Sequence, residues 1–305
     1  MISDAQLRRL ADDLAAVPGV TAVVLGGSRA RGTHRPDSDV DLGLYVSSDV
    51  DRSVLAAVAG RWHGSALKVG EPGSWGLWVD SGAWITVADT PVDLILRDVT
   101  RVAEQCARAV RGEFAFHQQP GHPFGFLDVA YAGEVALGVP LVDHEGVHAA
   151  LAASINPYPE ALSRSLMGNL WQVDFHLDGA TKAAGTSDTA YVSLCLTNAV
   201  MLLAHAWHAA CRAWVINEKD LVPAVSRLPG APVSFSSDAA AILSAVGSTP
   251  EDLRTSISRT RTLPRPDHSA PPIQENRPMA DFSVSDPLCQ AGCESVGERL
   301  GVELD

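Results

Sequence analysis

Two aspartates, Asp39 and Asp41, stand inside a run of residues otherwise suited to burial. Val40, Leu42, Leu44 and Val46 alternate with Asp39, Asp41, Gly43 and Tyr45, the period of two that marks a β-strand. Residues two apart on a strand leave the same face with Cα atoms about 7 Å apart, so the two carboxylates stand side by side. Aspartate is unfavourable in strands, and adjacent like charges repel, more so when buried. A hard divalent cation relieves that repulsion, and Mg²⁺ typically takes one or two protein carboxylates plus phosphate oxygens.

Two further features extend the pattern. Asp93, in Pro91-Val92-Asp93-Leu94-Ile95, occupies the same kind of position on a second predicted strand. If the two strands are neighbours, three carboxylates converge on one patch, a layout for one or two metal ions clamping a phosphoryl group. Upstream, the β-branched run 20–25 predicts a buried strand that ends in Gly26-Gly27-Ser28-Arg29-Ala30-Arg31-Gly32. Glycines let the backbone approach a ligand closely, and amides at a following helix start favour anions. Ser28 offers a hydroxyl, and Arg29 and Arg31 offer charge to a triphosphate.

Composition narrows the remaining options. At 305 residues the chain is long enough for about two domains, and its 46% hydrophobic content excludes wholesale disorder. A formal charge of −13 excludes a general nucleic-acid-coating role and mildly suits a cationic small-molecule partner. No uninterrupted apolar run reaches about 18 residues. The richest stretch, 190–215, is broken by Thr197, Asn198, His205 and His208 and reads as a buried helix, so no membrane partner is expected. The N-terminus lacks a basic region and an apolar core, and five scattered cysteines argue against a disulfide framework. These features predict a cytoplasmic protein.

Along the chain, helical spacing of Leu7, Leu10, Leu14 and Val17 follows a Ser3-Asp4 cap. Further helices are predicted over 49–61 and 99–111. Strands are predicted over 83–87 and 92–96, about a turn at Asp89-Thr90-Pro91. Residues 62–82 carry Trp62, Trp75 and Trp78 among many glycines and give no clear pattern. Beyond about residue 124 helical stretches dominate, over 125–138, 157–179, 188–214, 218–227, 238–246 and 250–260. Six prolines between Pro264 and Pro287 then predict a flexible tail. The fold class is α+β: a mixed-sheet domain over 1–112, an all-α substrate-binding bundle over 113–263 and a proline-rich tail over 264–305.

The segment Gly27-Ser28-Arg29-Ala30-Arg31-Gly32, followed by Asp37-Ser38-Asp39-Val40-Asp41-Leu42 and a later strand aspartate, resembles the signature of the nucleotidyltransferase superfamily with the DNA polymerase β-type fold. Its minimal and antibiotic (aminoglycoside) nucleotidyltransferases are the most similar branches. The likeness covers roughly residues 20–96. It implies Mg²⁺ and the triphosphate on Asp39 and Asp41, metal binding or acceptor activation by Asp93, and a phosphate contact from Ser28, to which the residues themselves add Gly27 and Arg31. The segment Asn217-Glu218-Lys219-Asp220-Leu221 through Leu228-Pro229 is similar to one in streptomycin/spectinomycin adenylyltransferases, which implies that Lys219 reaches the triphosphate. The implied activity is transfer of a nucleoside monophosphate, most often AMP from ATP, to a hydroxyl of a small molecule such as an aminoglycoside-like antibiotic. The alternatives are a toxin–antitoxin-type enzyme that modifies a protein partner and a nucleotide-binding regulator without turnover.

Other candidates have plainer readings. Glu134 could take the acceptor proton, although a solvent-facing glutamate is the simpler expectation. Asp188 reads as a helix cap. His144 with His148, and His205 with His208, have helical metal-ligand spacing but no nearby third ligand. Cys289 and Cys293 lack partners for a zinc site.

Overall fold

The computed structural model describes residues 1–35 and 37–267, so most of the expected tail, with Cys289 and Cys293, lies outside the described residues. Helix α1 (Asp4–Ala15) opens with a capping box: the Ser3 hydroxyl accepts from the Gln6 amide while the Gln6 side chain accepts from the Ser3 amide. Its apolar stripe, Leu7, Leu10, Ala11 and Leu14, is buried. Strand β1 (Val20–Leu25) leads through Gly26 into the single-turn helix α2 (Gly27–Ala30). Next come β2 (Val40–Val46) and α3 (Arg52–His63), which ends on Gly64 in the left-handed conformation. Residues 64–81 hold no regular element. Strands β3 (Gly82–Val87) and β4 (Thr90–Asp98) then form a hairpin, and α4 (Val99–Arg111) follows.

The turn between β3 and β4 falls on Ala88 and Asp89, both at positive φ, rather than around Pro91. That two-residue form matches the twist of the flanking strands and leaves Pro91 inside β4.

The sheet order is β3-β4-β2-β1-β7, where β7 (Val139–Val142) comes from beyond the predicted boundary and pairs antiparallel with β1. Strands β2 and β4 run parallel, and the other pairs are antiparallel. One face buries Leu42, Leu44, Leu94 and Leu96 against α1 and α3. On the other face Ala22, Val24 and Tyr45 pack against α4, α5 (Ala130–Leu137) and α6 (Val147–Ser154). This packing leaves the Asp41 end of that face open.

The region after residue 112 is mainly helical. It contains α7 (Glu160–Gly168), α8 (Trp171–Ala184), α9 (Thr189–Ala210), α10 (Leu221–Val225), α11 (Phe235–Leu243) and α12 (Pro250–Arg261). Where 125–138 is expected to be one helix, the chain instead forms a hairpin, β5 (Phe116–Gln119) and β6 (His122–Leu127), before α5. Helix α9 is long and apolar enough to cross a membrane, but 56% of its most apolar window is buried among α7, α8, α10 and α12. It is the core helix that the sequence predicts, and Asp188 caps it by accepting from the Tyr191 amide at 3.1 Å.

Candidate active site

Parallel pairing of β2 with β4 puts Asp41 directly opposite Asp93. Their neighbours Val40, Leu42, Val92 and Leu94 are fully buried on the reverse side, which fixes the strand faces and turns both carboxylates outward. Asp39 joins them, and one carboxylate oxygen from each of the three lies within 4.8 Å of the others. Burial and the charges of Asp39 and Asp93 push the Asp41 carboxyl up to about 6. Partial burial, and then Asp39, also raise Asp93. Such a cluster is unfavourable as three bare anions and favourable around a cation, so its donor set fits a hard divalent metal. Among the described residues it is the only group of acids, histidines and cysteines that meets this geometry.

The turn after β1 is built around the same aspartate. The Gly26 amide donates to the Asp41 carbonyl at 2.8 Å. Gly27, at φ +60°, lies so close that a Cβ there would sit 1.8 Å from Asp41 Oδ2. Glycine is required here for both conformation and space. The loop before β2 is pinned by Arg29, which donates to the carbonyls of Ser38 and Asp39 at 2.7 and 2.9 Å. Arg29 thus positions the aspartates rather than facing a ligand. Ser28 does not cap α2, whose N-cap is Gly26, and its hydroxyl has no hydrogen bond among the described residues.

A cavity of about 400 Å³ opens at this point, within the range of small-molecule sites. Gly27, Ser28, Arg31, Asp39 and Asp41 line it from the sheet, and Lys219 lines it from the segment before α10. Asp93 stands beside this wall, joined to it through the carboxylate cluster. Arg31 and Lys219 have no ion pair among the described residues, and Arg31 counteracts the rise at Asp41. The Lys219 segment is held by Glu218, which accepts from the Phe124 and Gly125 amides at 2.7 and 3.0 Å.

The cavity floor escaped sequence reasoning. Arg97 is buried beneath it and forms a two-pronged bridge to Glu134, with Nε–Oε2 at 2.6 Å and Nη2–Oε1 at 2.8 Å. The Glu134 carboxylate holds the Arg97 charge above its ordinary range against the desolvation of burial. Glu134 faces the cleft, contrary to the solvent-facing expectation, but both its oxygens are engaged and it is not a free base. Arg97 keeps the strand parity of Asp93 and Ile95, but the alternation of burial breaks there, with Leu96 and Arg97 both buried. His122, Phe126 and Asn217 also line the cavity and left no such signal. The histidine pairs form no shared site. His144 is exposed while His148 packs edge-on to Tyr45, and His205 lies between Phe116 and Phe124.

Residues 7–106 match the family model of the nucleotidyltransferase domain. Over this stretch, about a third of the chain, the sequence is similar to a nucleotidyltransferase domain. The match contains the glycine turn and all three aspartates of the cluster, and ends before the helical region that supplies Lys219. A nucleotidyltransferase-like protein from Exiguobacterium sibiricum 255-15 is similar in structure, at 10% identity and a TM-score of 0.41, over 84% of this chain and 72% of that one. No curated protein matches the sequence. The domain and its acidic triad support nucleoside monophosphate transfer as the general chemistry.

Proposed function

We propose that the protein transfers a nucleoside monophosphate, with ATP as the donor of first choice, to a hydroxyl of a small molecule and releases pyrophosphate. One observation carries this reading: the carboxylates of Asp39, Asp41 and Asp93 crowd together, and Asp39 and Asp41 line the same cavity as the Gly27–Ser28 turn. Asp39 and Asp41 would hold Mg²⁺, which when bound would neutralise charge on the triphosphate and on the pentavalent transition state.

The chain's own groups do the rest. The backbone at Gly27, the Ser28 hydroxyl, Arg31 and Lys219 grip the phosphates beyond the reacting one. Asp93, raised by burial, accepts the proton of the acceptor hydroxyl as its oxygen attacks the α-phosphorus. The new O–P bond forms while the α–β phosphoanhydride bond breaks, and the electron pair leaves with pyrophosphate. Most of the acceleration comes from positioning and charge compensation. An aminocyclitol- or aminoglycoside-like acceptor in the cytoplasm suits the net charge of −13.

The test is incubation with Mg²⁺ and each NTP labelled at the α-phosphate, across a panel of aminoglycosides, cyclitols and amino sugars. Labelled product is expected with at least one acceptor and none with Asp39→Ala. Absence of product and of pyrophosphate release for every combination would overturn the reading.

A further inference from the structure

We propose that Trp84, held in place by Trp75, is the acceptor platform of this site: a ring-shaped hydroxyl compound lays its apolar face on the indole and presents a hydroxyl toward Asp93. This rests on the nucleotidyl-transfer reading and adds the specificity determinant that reading lacks.

The first support is position. Trp84 on β3 is the direct register partner of Asp93 on β4. Antiparallel partners point their side chains to the same face with Cβ atoms about 5 Å apart. The sheet order then sets the parts in a line: the glycine turn after β1, Asp39 and Asp41 at β2, Asp93 on β4 and Trp84 on β3. In-line displacement requires the incoming oxygen to stand opposite the departing pyrophosphate. With the outer phosphates at the glycine turn, the acceptor arrives from the β4–β3 side, where Trp84 stands.

The second support is construction. Trp84 is 65% exposed, although its strand neighbours Ala83 and Ile85 are buried. One of its faces stacks on Trp75, with centroids 4.3 Å apart and planes at 14°. Trp75 in turn lies over Gly82, where a Cβ would come within 2.9 Å of the ring. The Trp75 carbonyl accepts from Gln119 Nε2 at 2.6 Å, and its amide donates to the Asp80 carbonyl at 2.9 Å. Among the described residues Trp84 has no other ring contact. Its second face is therefore open, rigidly backed and next to the carboxylate cluster. A flat, weakly polar indole rewards a ring with an apolar face over a flexible open chain.

The experiment compares wild type, Trp84→Ala and Trp84→Phe with ATP and Mg²⁺. The probes are myo-inositol and glucosamine, set against the open-chain polyol sorbitol, and water serves as the reference acceptor through AMP and pyrophosphate formation. Wild type should favour the rings over sorbitol in kcat/KM by about tenfold. Trp84→Ala should erase that preference by raising the acceptor KM for the rings about tenfold, and Trp84→Phe should keep most of it. The proposal falls if wild type cleaves ATP yet shows no ring preference, or if Trp84→Ala retains the preference. It also falls if Trp84→Ala raises the KM for ATP, which would make Trp84 a base platform. No pyrophosphate from wild type with any NTP, water included, marks failure of the transfer reading itself, and the platform falls with it.

Discussion

At the scale of single residues, Asp41 meets two opposed demands. Its carboxyl is pushed from its ordinary value near 4 to about 6 by burial and by Asp39 and Asp93. The sign follows from linkage: between those values the folded protein holds a proton that the unfolded chain has lost, so stability declines as pH rises through the window and stays lower above it. Asp41→Asn should therefore raise the melting temperature at pH 7.5 in EDTA, and the gain should shrink toward zero near pH 4. The same variant should transfer less than about 1% of the wild-type product, since one cluster oxygen becomes an uncharged amide. Thermal melts across pH, alongside the labelled-NTP assay, separate the two effects. Gly27 also serves this aspartate by lacking a Cβ. The Asp-x-Asp pattern made the cluster readable in the sequence because alternation fixes the face of a strand. Arg97 lies on the same face of the sheet yet went unread, and the sequence left Trp84 as either core or pocket wall, since neither residue type is out of place in a strand.

At the scale of elements, the Arg97–Glu134 bridge ties β4 to α5 beneath the cavity. Arg97 also donates to the Val79 carbonyl at 3.1 Å and lies over the Tyr131 ring at 4.9 Å, so the bridge gathers three segments around one buried charge. Glu134→Ala strands that charge and should cost about 3–5 kcal/mol in denaturant unfolding. The paired change Arg97→Met with Glu134→Leu should recover much of the loss, because an apolar pair needs no compensation. Most elements were visible in advance: α1 by its spacing and cap, β2 by its alternation, and α9 by its length. The exceptions are α6, the break at residues 169–170 that divides the one helix expected over 157–179 into α7 and α8, and three short strands. β5, β6 and β7 have four to six residues each; Pro120-Gly121 is a strong turn signal, but the short flanking runs show no alternation, and the partner of β7 is distant in sequence. Residues 64–81 were unreadable because their order comes from Trp75, Asp80 and Gln119 contacts rather than from any period.

At the scale of the whole molecule, two buried histidines in the helical region contribute to the loss of stability in acid. Burial lowers His205 to about 3 and His208 to about 4, and His205 has no hydrogen-bond partner on either ring nitrogen among the described residues. Below the ordinary histidine range the unfolded chain gains protons that the folded one refuses, so stability falls as pH drops from about 6.5. His205→Leu fills the space between Phe116 and Phe124 without that liability. It should remove one proton from the slope, about 1.4 kcal/mol per pH unit between pH 6 and 4, in urea titrations. One topological detail has a wider reach. Because β7 comes back from beyond α5 to complete the sheet beside β1, the polypeptide is stitched across the frontier that composition alone would draw near residue 112. A fragment cut at that frontier would leave the outer side of β1 as a bare sheet edge, open to pairing with another chain.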